Sequence, residues 1–257
     1  MKWFYQKDEI EVGIDEVARG CLFGRVYTAA VIWPYDETFA EEEEEEENEK
    51  EEEDENKERD EKEESVEKIV TSENLHCPIT KDSKQYTPQK RKELYQYILD
   101  NALEVQYSYC EAEEIDDINI LQATYKSMHK TLDKFSTKVD RILVDGDRFK
   151  PYFGVNGENS YDNDDNEWVP YACFPKGDTL YLPISAASIV AKVEHDMYIE
   201  RLCQEYPDLE ERYGLLSNMG YGSQRHRDGI TKYGISQFHR KTFGCCQQVD
   251  LSRVVKK

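Results

Sequence analysis

The sequence lacks any long apolar segment. No window approaches the roughly 18 consecutive apolar residues that a membrane-spanning helix needs, and residues 1–11 contain no apolar stretch typical of a secretory signal. The seven cysteines include no C-x-x-C pair, which argues against a zinc site and against a disulfide framework. These absences predict a soluble intracellular protein with reduced thiols, most simply a cytoplasmic one.

Negative charge is abundant but unevenly distributed. Residues 36–68 hold 21 acidic and 5 basic side chains, and residues 158–167 add five acids and no base. These two segments account for −21 of the formal net charge of −22, so the rest of the chain is nearly neutral. A glutamate run buries no apolar surface and repels itself, which predicts a disordered acidic insertion at about 36–75. The acidic total therefore does not exclude a nucleic-acid partner.

The remaining chain shows alternating strand and helix patterns. Residues 10–14 and 24–32 predict a hairpin, and 105–109 and 141–145 predict two further strands. Helices are expected at 87–100, over most of 115–132, at 183–206 and at 226–233. This order predicts an α/β fold, a mixed sheet flanked by helices. We expect a single domain over 1–257, with a second insertion at about 150–172 and a flexible tail at about 245–257.

Acidic residues stand at the predicted ends of two apolar strands. Asp15 and Glu16 follow Gly13-Ile14, and Asp145 closes a short buried-type strand. Neighbours on a strand point to opposite faces, so Asp15 and Glu16 can approach one point only if the strand ends there. Asp196 lies in the long helix at 183–206. A solvated acid is the alternative at each position, but together they suggest a site for a hard cation with oxygen ligands.

Several motifs, in order along the chain, resemble the ribonuclease HII family. The opening match is Gly13-Ile14-Asp15-Glu16-Val17-Ala18-Arg19-Gly20 with Gly24-Arg25-Val26. The later matches are Asp82-Ser83-Lys84, Asn119-Ile120-Leu121-Gln122-Ala123-Thr124, Leu143-Val144-Asp145-Gly146, Lys176-Gly177-Asp178, Ala186-Ala187-Ser188-Ile189-Val190-Ala191-Lys192-Val193 with Asp196, Asn218-Met219-Gly220-Tyr221-Gly222 and His239-Arg240-Lys241-Thr242-Phe243. Outside the two acidic insertions, the resemblance spans residues 13–243.

The resemblance implies a ribonuclease H-like fold with a C-terminal helical extension, and an endonuclease that cuts the RNA strand of RNA–DNA hybrids. It also implies cleavage 5′ to a single ribonucleotide in duplex DNA, with roles in ribonucleotide and primer removal. Four carboxylates would hold two Mg²⁺ or Mn²⁺ ions: Asp15, Glu16, Asp145 and Asp196. The residues expected to contact the nucleic acid are Ala18, Arg19, Gly20, Ser83, Lys84, Lys176, Lys192 and Tyr221. For the three lysines, an ordinary surface role is the alternative.

One position departs from the family pattern. Ala18 stands where the family has the first glycine of its junction-reading segment, and alanine resists backbone conformations that glycine adopts. Arg19 argues against the related ribonuclease HIII, and residues 119–124 resemble the bacterial branch, which predicts a self-sufficient monomer. A hybrid-binding protein without activity is the main alternative, and Ala18 is the feature in its favour.

Two further alternatives have less support. A different hybrid or junction nuclease on the same fold would require different surrounding motifs. An acidic calcium-binding protein would require the spaced Asp/Asn-Gly loop of an EF-hand, which the glutamate run lacks. The tail at 248–255 only vaguely resembles a sliding-clamp-binding peptide, with valines in place of its aromatic pair, so we expect it not to bind one.

Overall fold

A five-stranded mixed sheet forms the centre of the computed structural model, which describes residues 1–34, 77–80, 83–154 and 168–249. The strands are β1 (Glu11–Val17), β2 (Val26–Ile32), β3 (Glu104–Cys110), β4 (Arg141–Asp145) and β5 (Tyr171–Phe174). Their order in the sheet is β3-β2-β1-β4-β5. Antiparallel pairing joins β3, β2 and β1, and parallel pairing joins β1, β4 and β5. The predicted hairpin and mixed sheet are confirmed.

Helices cover both faces of the sheet. The α-helices in the described residues are α1 (Pro88–Asn101), α2 (Ala112–Ile118), α3 (Ile120–Leu132), α4 (Leu182–Glu205), α5 (Pro207–Tyr213), α6 (Leu215–Asn218) and α7 (Gln224–Tyr233). Short 3-10 helices lie at Ser83–Gln85, Gly177–Thr179 and Gly244–Gln248. No helix in the described ranges is both long enough and apolar enough to cross a membrane.

Strand alternation distributes the core between the two faces. Val12 and Ile14 of β1 pack in one buried cluster with Met128 of α3. Ala29 and Val31 of β2 pack in another cluster, on the side of α1 and α4. Because successive side chains on a strand point to opposite faces, α3 covers one face and α4 the other. The position of a residue along its strand therefore decides which face of the sheet its side chain lies on.

The C-terminal helices pack on the far end of α4. Tyr213, Leu215 and Ile230, from α5, α6 and α7, share a buried cluster with Ile199 of α4 and with Phe23 between β1 and β2. This is the C-terminal helical extension that the sequence predicts. It brings the end of the chain against the loop that follows β1.

Two predicted elements differ in their bounds. The predicted helix over 115–132 is divided at Asn119, whose backbone has φ +66° and whose side chain caps the start of α3. A left-handed residue cannot continue a right-handed helix, so two helices form in place of one. β1 was expected to end near Ile14, but it continues to Val17 through its pairing with β2. Asp15 therefore lies inside the strand.

The predicted insertion at 150–172 and tail at 245–257 are too long. β5 begins at Tyr171, inside the predicted insertion, and gains its strand geometry by pairing with β4. Residues 244–248 form a 3-10 helix, and Cys246 is buried against the core cluster of the C-terminal helices. The acidic insertion at 36–75, the centre of the second insertion (155–167) and the end of the tail (250–257) lie outside the described residues.

Candidate active site

Asp15 and Asp145 lie side by side on neighbouring parallel strands. The β1–β4 pairing ends at Ile14 and Val144, and the next residue on each strand is one of the two aspartates. Neighbouring strands are about 4.8 Å apart, so this register places the two residues next to each other. Asp15 pairs with Ala29, which faces α4, and Asp145 follows the same alternation as Leu143, which packs on Ile184 of α4. Both carboxylates therefore face the α4 side.

Glu16 faces the opposite side of β1. Its partner in β2 is Thr28, whose hydroxyl bonds to Ser127 and Thr131 of α3. Glu16 also accepts a hydrogen bond from Arg19 at 3.1 Å. It lines a cleft of about 260 Å³ together with Arg19, Leu121, Thr124, Tyr125, Met128, Asp145, Gly146, Asp147 and Arg148. Asp145 thus stands at the strand end, where groups from both faces of the sheet meet.

Burial and mutual repulsion disfavour ionisation of the two aspartates. Burial raises the pKa of Asp15 well above its usual value, and the charges of Glu16 and Asp145 raise it further. Burial also raises the pKa of Asp145, again with a contribution from Glu16. The backbone N–H groups of Gly177 and Asp178 and the charge of Lys84 act in the opposite direction on Asp145. The hydrogen bonds and the charge of Lys84 therefore compensate only part of the negative charge that Asp15, Glu16 and Asp145 carry when they are ionised.

A pair of serines supports Asp15 from the side of α4. The Ser188 hydroxyl hydrogen-bonds to Asp15 and lowers its pKa. Ser188 lies 2.8 Å from the Ser83 hydroxyl, which is itself buried. The predicted contact of Ser83 with the nucleic-acid backbone stays a prediction, and the Ser83 hydroxyl is engaged with Ser188. Ser83 thereby holds the residue that orients Asp15, and the charge of Lys84 beside it acts on Asp145.

Asp178, which the sequence did not select as a site residue, lies next to Asp145. It is buried in the short 3-10 helix Gly177–Thr179, which precedes α4, and its backbone N–H faces the Asp145 carboxylate. Lys176, at the N-cap of this turn, has a left-handed backbone with φ +62° and an exposed side chain. A signal for Asp178 was present in the sequence, in the Lys176-Gly177-Asp178 motif, but the motif alone did not reveal that its acid turns inward.

Asp196 lies in a different electrostatic environment. Its carboxylate is bound by Lys192 at 2.6 Å and by His195 at 3.2 Å, and burial acting alone would raise its pKa, but these two partners lower it. The charges acting most strongly on Asp15 and Asp145 do not include Asp196. Asp196 is eight residues beyond Ser188, which is about 12 Å along the helix axis.

The prediction that Asp196 joins the other three carboxylates stays a prediction. Ser188, Lys192 and Asp196 are spaced four residues apart and therefore share one face of α4. Burial raises the pKa of Tyr221, a predicted junction-reading residue, and the charge of Asp196 contributes to this rise. Lys192, which is also predicted to contact substrate, is paired with Asp196 at 2.6 Å, and its side chain is 16% exposed.

The predicted junction-reading residues do come together. The Tyr221 hydroxyl lies beside the Ala18 backbone N–H, and Tyr221 pairs with Cys21 in an isolated β-bridge. Ala18 has φ +69°, in the left-handed region where alanine is strained and glycine is not. The position at which this sequence departs from the family's glycine is therefore one where glycine would relieve backbone strain. Arg19 is half exposed, and a side chain added at Gly20 would meet no atom within 4 Å.

The acidic residues near the carboxyl ends of β1 and β4 fit a site in which a divalent cation is bound partly by the protein and partly by the substrate. Among the described residues, no group of three or more His, Cys, Asp or Glu side chains surrounds one point. Mg²⁺, however, is commonly bound by one or two carboxylates together with waters and substrate phosphates. Asp145 Oδ1 is buried without a hydrogen-bond partner, and a buried polar atom of this kind calls for an explanation such as a bound ion.

Comparisons with known proteins agree with the resemblance seen in the sequence. The family model described as Ribonuclease HII matches residues 68–246. The ribonuclease HII of Bacteroides thetaiotaomicron is 35% identical over 240 residues, which cover 93% of this chain and 92% of that protein. The ribonuclease HII of Parabacteroides distasonis is 34% identical, again over 93% of this chain and 92% of the relative. Both relatives are bacterial.

Two solved structures share the fold of this chain. Ribonuclease H2 from Pyrococcus horikoshii superposes with a TM-score of 0.59 at 21% identity, over 95% of this chain and 98% of that one. Ribonuclease HII from Archaeoglobus fulgidus, solved in a complex with PCNA, gives a TM-score of 0.60 at 19% identity, over 91% and 95% of the two chains. At these identities the superpositions establish the fold alone. The family model and the bacterial relatives show that this chain belongs to the ribonuclease HII family of ribonuclease H endonucleases.

Proposed function

We propose that this protein is a divalent-metal-dependent endonuclease that hydrolyses the RNA strand of RNA–DNA hybrids. Its substrates include duplex DNA with a single embedded ribonucleotide, cut on the 5′ side to leave 5′-phosphate and 3′-hydroxyl ends. The observation that carries this proposal is the pair Asp15 and Asp145, adjacent near the carboxyl ends of the inner strands β1 and β4, with Glu16 beside them. Its cellular duties would be the removal of ribonucleotides and of RNA primers from DNA.

The three carboxylates would hold Mg²⁺ or Mn²⁺, with two ions expected when substrate phosphate completes the site. When bound, the ions supply an activated water and neutralise charge on the leaving oxygen. Asp15 and Asp145 are the residues positioned to share them, because the strand register holds both on one face. Ser188 orients Asp15, and Glu16 approaches from the α3 side. We propose Asp196 as the fourth acid, because it lies on the same face of α4 as Ser188, which orients Asp15.

Substrate recognition would come from the junction-reading group: Ala18, Arg19, Gly20 and Tyr221. The 2′-hydroxyl distinguishes RNA from DNA. Arg19, Gly20 and the Tyr221 side chain are exposed, whereas Ala18 is buried. Ser83, Lys84, Lys176 and Lys192 are proposed contacts to the nucleic acid. All seven cysteines are free thiols, which is typical of a reducing compartment, and we propose a monomer acting in the cytoplasm.

The decisive assay uses Asp15→Asn and Asp145→Asn on a duplex with one embedded ribonucleotide, in Mg²⁺ and in Mn²⁺. Each variant should lose at least about a hundredfold to a thousandfold in cleavage rate, as when a preorganised charge-stabilising group is removed. Asp208→Asn is the matched control, since Asp208 is an exposed acid of α5 paired only locally with Arg212. Mg²⁺-dependent cleavage retained by either site variant would defeat the assignment. Hybrid binding without cleavage by the unaltered protein would favour the inactive alternative.

The role of Asp196 is tested by the same assay. Asp196→Asn should lower the cleavage rate as Asp145→Asn does, because the proposal makes Asp196 the fourth acid of the site. Asp178→Asn should cost less, because Asp178 contacts the Asp145 carboxylate through its backbone N–H, which the substitution keeps. The opposite ranking of the two variants would make Asp178 the fourth acid.

A further inference from the structure

Two buried residues near the C-terminus, His239 and Arg240, reach the junction-reading group from inside the protein. They follow α7, and both side chains are buried. Neither belongs to the carboxylate site. Their hydrogen bonds run in two directions, one toward Tyr221 and one toward the loop that contains Ala18, Arg19 and Gly20. The inference that follows rests on the proposed role of this group in recognising ribonucleotides.

The first connection is a chain of two histidines. The Ser236 backbone N–H donates to His239 Nδ1 at 2.9 Å. His239 Nε2 lies 3.1 Å from His226 Nε2, and His226 Nδ1 lies 2.9 Å from the Tyr221 carbonyl oxygen. Each histidine is therefore bonded through both of its ring nitrogens.

The backbone donor at one end fixes every proton in this chain. A backbone N–H can only donate, so His239 Nδ1 must accept, and the His239 proton is on Nε2. That proton is donated to His226 Nε2, which leaves the His226 proton on Nδ1, where it is donated to the Tyr221 carbonyl. Burial lowers the pKa of both histidines, in keeping with two neutral rings. All the hydrogen bonds that link Ser236, His239 and His226 point the same way, and the last one is donated to the Tyr221 carbonyl.

The second connection is the Arg240 guanidinium. It donates to the carbonyl oxygens of Gly24 at 2.8 Å, Arg19 at 3.0 Å and Arg25 at 2.8 Å. An arginine that is completely buried carries a large desolvation cost unless its donors are used, and here the fork spans three carbonyls of the segment that follows β1. The Arg19 carbonyl belongs directly to the junction-reading loop, in which the Ala18 backbone is strained.

We propose that His239 and Arg240, with His226, are positioning residues that hold Tyr221 and the Ala18–Gly20 backbone at a fixed separation, and so set the preference for a single embedded ribonucleotide. The two connections start from adjacent residues. A displacement of either one changes the gap between the Tyr221 ring and the loop. Continuous hybrids, which offer a ribose at every position, depend less on this gap.

The test measures the ratio of cleavage rates on a one-ribonucleotide duplex and on a continuous hybrid, with the melting temperature recorded for every variant. His226→Leu removes the bond to the Tyr221 carbonyl, whereas His226→Asn keeps an amide donor near the Nδ1 position. His226→Leu should lower the ratio about tenfold, the equivalent of one hydrogen bond. His226→Asn should stay within about twofold of the unaltered protein. Arg240→Lys, which cannot reach three carbonyls at once, should also lower the ratio about tenfold.

Tyr213→Phe is the matched control. The Tyr213 hydroxyl donates to the Gly234 carbonyl at 3.1 Å, and its ring packs against both histidines, but it does not bond to Tyr221 or Arg19. This variant should lower the melting temperature and leave the ratio unchanged. A ratio that falls as far in Tyr213→Phe, or rates that fall equally on both substrates in His226→Leu and Arg240→Lys, would show that the cluster is merely structural.

Tyr221→Ala separates this inference from the proposed function. If Tyr221→Ala lowers the ratio while His226→Leu and Arg240→Lys do not, only the positioning role is overturned. If Tyr221→Ala leaves the ratio unchanged, the proposed junction recognition is overturned and the positioning role with it. If His226→Leu does not fold, Arg240→Lys and Tyr213→Phe decide the question.

Discussion

Gly13 lies where β1 crosses the first turn of α4, two residues before Asp15 on the same face of the strand. A Cβ added at this position would lie 2.2 Å from the Pro183 carbonyl carbon and 2.3 Å from the Ile184 backbone nitrogen. Both atoms belong to the backbone of α4, so no side-chain rotation relieves the overlap. Gly13→Ala must therefore push the helix away from the strand.

The size of the effect follows from these distances. Restoring an ordinary contact of 3.4 Å moves the start of α4 by about 1.2 Å relative to β1. Overpacking of this kind costs about 1–3 kcal/mol, and at about 2–4 °C per kcal/mol the melting temperature should fall by roughly 2–12 °C. The same shift carries Ser188 away from Asp15. A misplacement of about 1 Å costs up to a hundredfold in rate, so we expect kcat to fall about tenfold to a hundredfold.

The assay combines thermal unfolding with Mg²⁺-dependent cleavage of a continuous hybrid. Gly20→Ala is the control for stability, because a Cβ at Gly20 meets no atom within 4 Å, and its melting temperature should stay within about 2 °C of that of the unaltered protein. A melting temperature for Gly13→Ala within the same range, with unchanged kcat, would refute the close approach of α4 to β1 on which the geometry of Asp15 depends.

Three further variants test the site. Ser188→Ala should lower kcat about fivefold, since it removes the hydroxyl that orients Asp15, a bond worth about 1 kcal/mol; an unchanged kcat would mean that Asp15 does not need this hydrogen bond. Burial and neighbouring charges raise the pKa of Asp15, so the metal-free protein should lose stability as pH rises from the ordinary aspartate range through that raised pKa, and Asp15→Asn should reduce this loss in unfolding experiments over the same range. Ala18→Gly should raise the melting temperature by about 2–4 °C by relieving about 1 kcal/mol of strain at φ +69°; a decrease would show that the buried methyl group contributes more than the strain.

Local sequence patterns were enough to predict most of the helices and strands. The Thr87-Pro88 start of α1 was correct because capping depends on neighbours in the chain, and the Thr87 side chain accepts from the Lys90 backbone N–H as expected. β4 was predicted with its exact bounds because an apolar run closed by an acid is a local pattern. β5 was missed because its four residues carry no pattern of their own and become a strand only by pairing with β4.

The sequence by itself determined which residues carry charge and where most strands and helices begin. It also determined that Asp15, Glu16 and Asp145 lie in motifs that resemble those of one family. Only the tertiary structure decided which acids meet. Asp196 lies two turns of α4 beyond Ser188 and is bound by Lys192, while a short turn brings the backbone N–H of Asp178 to the Asp145 carboxylate. Proximity between distant positions is set by strand register and by the depth at which α4 packs on the sheet, and neither quantity is written in the spacing of residues along the chain.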